Sequence, residues 1–214
     1  NQAPEESFAH AASQTQEMSC QTWLGLSRDM RTFAVSERLD WVQPRMAGTE
    51  VRLSETNDRP ARYQFLMGRG WGVQTCISRR LDEGCLPILH GTLMDESIRY
   101  ELTAFAGMEK QRLQSGALRG THFLVADGYS AGHMFTAEQQ TAFKRLEPVE
   151  MNQAEEAVLF LRVTAENTAQ TPRYAFLKTA TPLSINPDQW ALNPATVLSS
   201  YNTGRVFAAS RLQD

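Results

Sequence analysis

Residues able to do chemistry are few in this chain, and they are scattered. Its four histidines are His10, His90, His122 and His133, and no HExxH or other helical metal-ligand spacing joins any two of them. Cys76, Cys85 and His90 would make three soft ligands if folded together, but the paired CxxC units of structural zinc sites are absent. No metal and no cofactor is expected. Asp127, Ser130 and His133 lie together in DGYSAGH without the GxSxG elbow of a serine hydrolase, so the segment reads as a glycine-rich turn. The acidic pairs Asp82-Glu83, Asp95-Glu96 and Glu155-Glu156 flank strand-like runs and read as solvated turn or edge charges. Glycosidase chemistry needs two carboxylates across a cleft, and no pair stands out for that role. Trp23, Trp41, Trp71 and Trp190 offer flat apolar faces on which a sugar ring could stack. Trp71, with glycines on both sides in GRGWG, and Trp190 are the expected carbohydrate-binding residues. No catalytic residue is assigned.

The elements that must position these groups are mostly strands. Residues 157–164 are apolar at nearly every position and predict a central strand buried on both faces. A turn with Asn167 and Pro172 leads to a second run at 174–181, and together they read as a hairpin. Residues 73–106 read as a three-stranded meander turning at Asp82-Glu83-Gly84 and Asp95-Glu96. Its last strand alternates Ile98, Tyr100, Leu102 and Ala104 against Arg99, Glu101 and Thr103. Earlier runs at 31–35, 39–43, 50–54 and 62–67 are bounded by Pro44, Gly48, Asn57-Asp58 and Pro60. Thr136 with Gln139 predicts a capping box opening a helix that stops before Pro148. Another short strand is expected at 122–126 and a last one at 206–210. The fold class is mainly β: an antiparallel β-sandwich, supersandwich-like, with one short helix.

Composition narrows the function classes. The 214 residues suffice for a packed core, and 21 basic against 24 acidic side chains leave a net charge of −3. That balance argues against a nucleic-acid partner. No run is long and apolar enough for a membrane-spanning helix. Three cysteines cannot all pair within the chain, and they are expected as free, mostly buried thiols. Residues 1–20 read as a polar tail, and 21–214 as a sandwich domain continued by further sequence at its C-terminal end. On that expectation Val206, Phe207 and Ala208 would pair with residues outside these 214.

Four blocks carry a resemblance: WGVQTCISRRLDEGCLPILHG, SIRYELTAFAGME, HFLVADGYSAGHMF and EEAVLFLRVTAENTAQTPRYAFLKTATP. Across roughly residues 60–212 the chain resembles the N-terminal β-supersandwich, galactose-mutarotase-like, of bacterial proteins related to six-hairpin (α/α-barrel) glycoside hydrolases. In that family the catalytic acids lie in a helical barrel that this chain is too short to contain. The resemblance implies an accessory or scaffolding domain of a larger carbohydrate-active protein, not catalytic alone, secreted or periplasmic. Its partners would be a carbohydrate and the rest of a larger polypeptide or a second chain. A free carbohydrate-binding module, an enzyme completed by another chain and glycoside hydrolase-like in chemistry, and a structural interaction domain stand as alternatives.

Overall fold

A computed structural model describes residues 20–26, 31–46, 48–70, 74–110, 136–151, 156–183 and 185–211, together with Ser7 and Arg112. The expected strand at 122–126 and the DGYSAGH turn lie outside these residues.

The chain is mainly β, with three antiparallel sheets and, among the described residues, one α-helix. The first sheet holds β1 (Thr22–Gly25), β2 (Arg31–Val35), β3 (Trp41–Met46), the short β4 (Thr49–Glu50) and β5 (Tyr63–Met67). Its order is β1-β2-β3-β5, with β4 beside β3 and a later strand, β10 (Leu177–Pro182), completing it against β5. The second sheet is the meander β6 (Gln74–Asp82), β7 (Leu86–Asp95) and β8 (Ile98–Met108), extended by β9 (Ala157–Asn167). A third sheet follows from β11 (Trp190–Asn193), β12 (Leu198–Tyr201) and β13 (Val206–Ala209).

Alternation explains how the first two sheets meet. Leu24, Val35, Val42, Phe65 and Met67 of one sheet share a single buried cluster with Leu89, Leu93, Tyr100, Leu102 and Ala104 of the other. Two antiparallel sheets bury their inner faces against each other, and the result is β-sandwich-like. Leu39 takes part from the turn between β2 and β3. A Cβ built on Gly91 of β7 would lie 2.1 Å from the Leu39 Cδ1, so that glycine is the notch into which the leucine fits. The third sheet joins through Tyr201, whose hydroxyl donates to the Tyr63 hydroxyl at 3.1 Å, and through Phe207, stacked on Tyr63 at 5.2 Å.

Two chain crossovers between the sheets run side by side. The outgoing one is 68–70 and the returning one leads into β10. The Gly68 amide donates to the Phe176 carbonyl (2.8 Å), and the Phe176 amide to the hydroxyl of the fully buried Tyr100 (2.9 Å).

Several expectations need correction. Residues 157–182 are no hairpin: β9 pairs along its whole length with β8, and β10 pairs with β5 in the other sheet. Nor is β9 central, because it lies at the edge of its sheet and Phe160 is 40% exposed. Leu159, Leu161 and Val163 do face the core. Pro44 lies inside β3, not beyond it; the β3–β5 ladder covers only Trp41 and Val42, so the missing N–H leaves that pairing intact. The Thr136–Gln139 capping box forms in both directions (3.0 and 3.2 Å) and opens α1 (Ala137–Met151). That helix runs through Pro148 for another turn instead of stopping before it. The strand β12 was hidden in sequence by its short, serine-rich run. On one side β13 pairs with β12, and it lies at the edge of its sheet.

Candidate functional site

The outer face of the first sheet carries the best-built cluster of exposed aromatic and polar groups. In β1, Leu24 points into the core and is fully buried, so Trp23 points out, and it is 50% exposed. Trp23 pairs with Ala34 of β2, and Ala34 with Gln43 of β3, which places the three across neighbouring strands on one face. Trp41 and Arg45 flank Gln43 along β3 at the same alternation. The Arg45 guanidinium lies over the Trp23 ring, 4.5 Å from its centroid, and that of Arg62 lies over Trp41 at 5.3 Å. Both are cation–π contacts, and both extend a flat aromatic surface with a flat, weakly hydrated cation.

Anchors hold these cations in place. Arg45 donates from Nε and Nη2 to the Gly48 carbonyl at 3.3 and 2.8 Å. Glu50 of β4 accepts from the Gln43 amide at 2.9 Å and lies 3.5 Å from Arg62 and 3.8 Å from Arg52. The Gln43 hydrogen bond first, then the charges of Arg62 and Arg52, hold the Glu50 carboxyl below its usual range. Gln43 itself is buried, with 1% of its surface exposed. The face therefore presents two indoles, planar cations and one fixed carboxylate, the mixture with which proteins stack and hydrogen-bond sugars.

Of the four tryptophans singled out in sequence, Trp23 and Trp41 lie on this face. Trp71 lies outside the described residues, as do His10, His122, His133, Asp127 and Ser130. Trp190 begins β11, half-buried, with its ring edge-on to Phe207 at 6.1 Å, so much of its indole packs on the core. Cys20 and Cys85 are free, but exposed instead of buried. Cys76 pairs in register with Leu93. Asp95 is not a solvated turn charge. It is 4% exposed and bound by Arg69.

His90 stands on the outer face of the second sheet, with Nε2 3.2 Å from Asp82 Oδ1 and Nδ1 3.4 Å from the Thr103 hydroxyl. The order hydroxyl–imidazole–carboxylate has the form of a nucleophilic relay. Among the described residues, it sits on the ladders that join β6, β7 and β8. Among the described residues no group of three or more His, Cys, Asp and Glu side chains comes together as a metal site. No described helix is long and apolar enough to cross a membrane. No protein-family model, curated protein or solved structure matches the chain.

Proposed function

We propose that the chain is a carbohydrate-binding β-sandwich module, acting as a non-catalytic accessory domain of a larger carbohydrate-active protein. It holds its ligand on the outer face of the first sheet. One observation carries the reading: Trp23 stands half exposed on a sheet face, stacked with Arg45 and sharing that face with the Trp41–Arg62 stack. A sugar ring laid on such a surface buries its C–H face on the indole while its hydroxyls reach the guanidinium, amide and carboxylate groups beside it.

Affinity electrophoresis in gels cast with soluble polysaccharides, neutral and acidic, tests this. The wild-type chain is retarded by at least one of them, and Trp23→Ala weakens the retardation about tenfold or more. Absence of retardation by every polysaccharide overturns the reading. A scaffolding role has one observation in its favour, the stacked and partly exposed pair Phe105 and Phe160 on the second sheet. Concentration-dependent self-association lost in Phe105→Ser would support that role instead.

A further inference from the structure

We infer that the ligand of the Trp23–Trp41 face is an acidic polysaccharide, one bearing carboxylates along its chain. The inference rests on the carbohydrate-binding reading and names its substrate class.

Charge carries the argument. The register places Arg45 of β3, Arg62 before β5 and Lys178 of β10 on the outer face of the first sheet, and Arg52 reaches it through Glu50. Against these cations the cluster holds, among the described residues, one carboxylate, Glu50, which is shared between Arg52 and Arg62. The chain as a whole is acidic, with a net charge of −3, so this face departs in sign from the rest of the protein.

Geometry adds to charge. Arg45 spends two of its donors on one carbonyl, which fixes the guanidinium over Trp23 and leaves Nη1 with its two N–H groups for a ligand. Arg62 touches Glu50 only at 3.5 Å, a contact that leaves most of its donors available. Trp41 and Arg45 are four residues apart on one strand, about 13 Å at strand rise. An extended saccharide crossing this face meets both an indole to stack on and a guanidinium for a carboxylate, at two places. A neutral glycan would leave the Arg45 guanidinium without an anionic partner.

The test compares polygalacturonate with a neutral galactan, and both with a single-stranded oligonucleotide, by affinity electrophoresis and titration calorimetry. Wild-type protein binds polygalacturonate about tenfold more tightly than galactan at low salt, and the preference falls as sodium chloride is raised. Arg45→Gln with Arg62→Gln abolishes the preference for polygalacturonate over galactan while leaving the thermal melt in place. Equal affinity for the two polysaccharides overturns the inference and leaves the carbohydrate-binding reading standing. An unaltered preference in the double variant also overturns it, since the charge then acts elsewhere. Tighter binding of the oligonucleotide than of either glycan overturns it in favour of nucleic acid. Binding of no glycan overturns both readings together.

Discussion

Arg69 grips Asp95 from three directions. Its Nη2 donates to Oδ1 at 2.7 Å, its Nε to the same oxygen at 3.0 Å, and its own backbone amide to Oδ2 at 2.8 Å. The pair ties the outgoing crossover to the end of β7, and Glu96 joins it at 2.9 Å from Arg69 Nη2. Gly68 is part of the same device. Its φ is +80°, and a Cβ there would stand 2.9 Å from Asp95 Oδ2.

The Arg69 side-chain bonds, followed by its backbone amide, hold the Asp95 carboxyl below its usual range. A depressed folded-state value stabilises the fold above the unfolded pKa, about 3.9, and that stabilisation is lost as pH falls through the folded value. Asp95→Asn should therefore cost about 2–4 kcal/mol at neutral pH, with Arg69 half in solvent keeping the figure moderate. In urea melts the gap between variant and wild type should narrow below about pH 4. A gap unchanged between about pH 4 and pH 2 would mean that the carboxylate charge is not what the fold uses.

Leu39 fits directly against Gly91 between the two sheets. Leu39 is 1% exposed, and added volume at Gly91 meets its Cδ1 directly. Gly91→Ala should cost about 1–3 kcal/mol through overpacking. Leu39→Ala alone should cost about 2–5 kcal/mol through the cavity it leaves. The two together should cost clearly less than their sum, because each relieves the other. Strict additivity in chemical denaturation would show that the residues do not share the space between the sheets.

Phe160 and Leu102 separate the edge of the second sheet from its centre. Phe160 is 40% exposed and stacks on Phe105 at 5.3 Å, whereas Leu102 is 1% exposed inside the sandwich. Phe160→Ala should cost about 1–2 kcal/mol, below the 3–5 kcal/mol or so of a fully buried phenylalanine. Leu102→Ala should cost about 2–5 kcal/mol. Equal losses would require Phe160 to be covered in solution.

That contrast shows what the sequence could and could not reveal. The alternation through 98–106 announced β8, since a half-buried strand writes its two environments at successive residues. In β9 the same rule failed. Val158 and Phe160 made both faces apolar, yet the outer face is apolar only because Phe160 pairs in register with Phe105 across the strands. Which strands pair at long range was not legible either. Nothing local in 174–182 says that it returns to β5, because that choice is made by the shared core and by the crossover bonds of Gly68 and Tyr100. The candidate site was half legible. Trp23 was among the aromatic candidates, but its partner Arg45 lies two strands away, and only the register of β1, β2 and β3 brings them together.

Phe207 supplies the last test. Within the chain, Phe207 inserts among three aromatic rings: Tyr63 stacked at 5.2 Å, Tyr201 tilted at 4.9 Å and Trp190 edge-on at 6.1 Å. Desolvation, reinforced by the neighbouring Tyr63 hydroxyl, pushes the Tyr201 phenol far above its ordinary value, so Tyr201 stays neutral at any physiological pH. The third sheet is thus docked by aromatic packing around one neutral hydroxyl pair, with Arg205 of the β12–β13 turn paired to Glu55 at 3.0 Å beside it. Phe207→Ala should cost about 2–4 kcal/mol, the transfer and stacking of a ring that is only partly exposed. Because Trp190 loses its edge contact in the same step, its fluorescence should shift to the red. A Phe207→Ala variant with wild-type stability and an unshifted spectrum would mean that the third sheet is held by something other than this aromatic cluster.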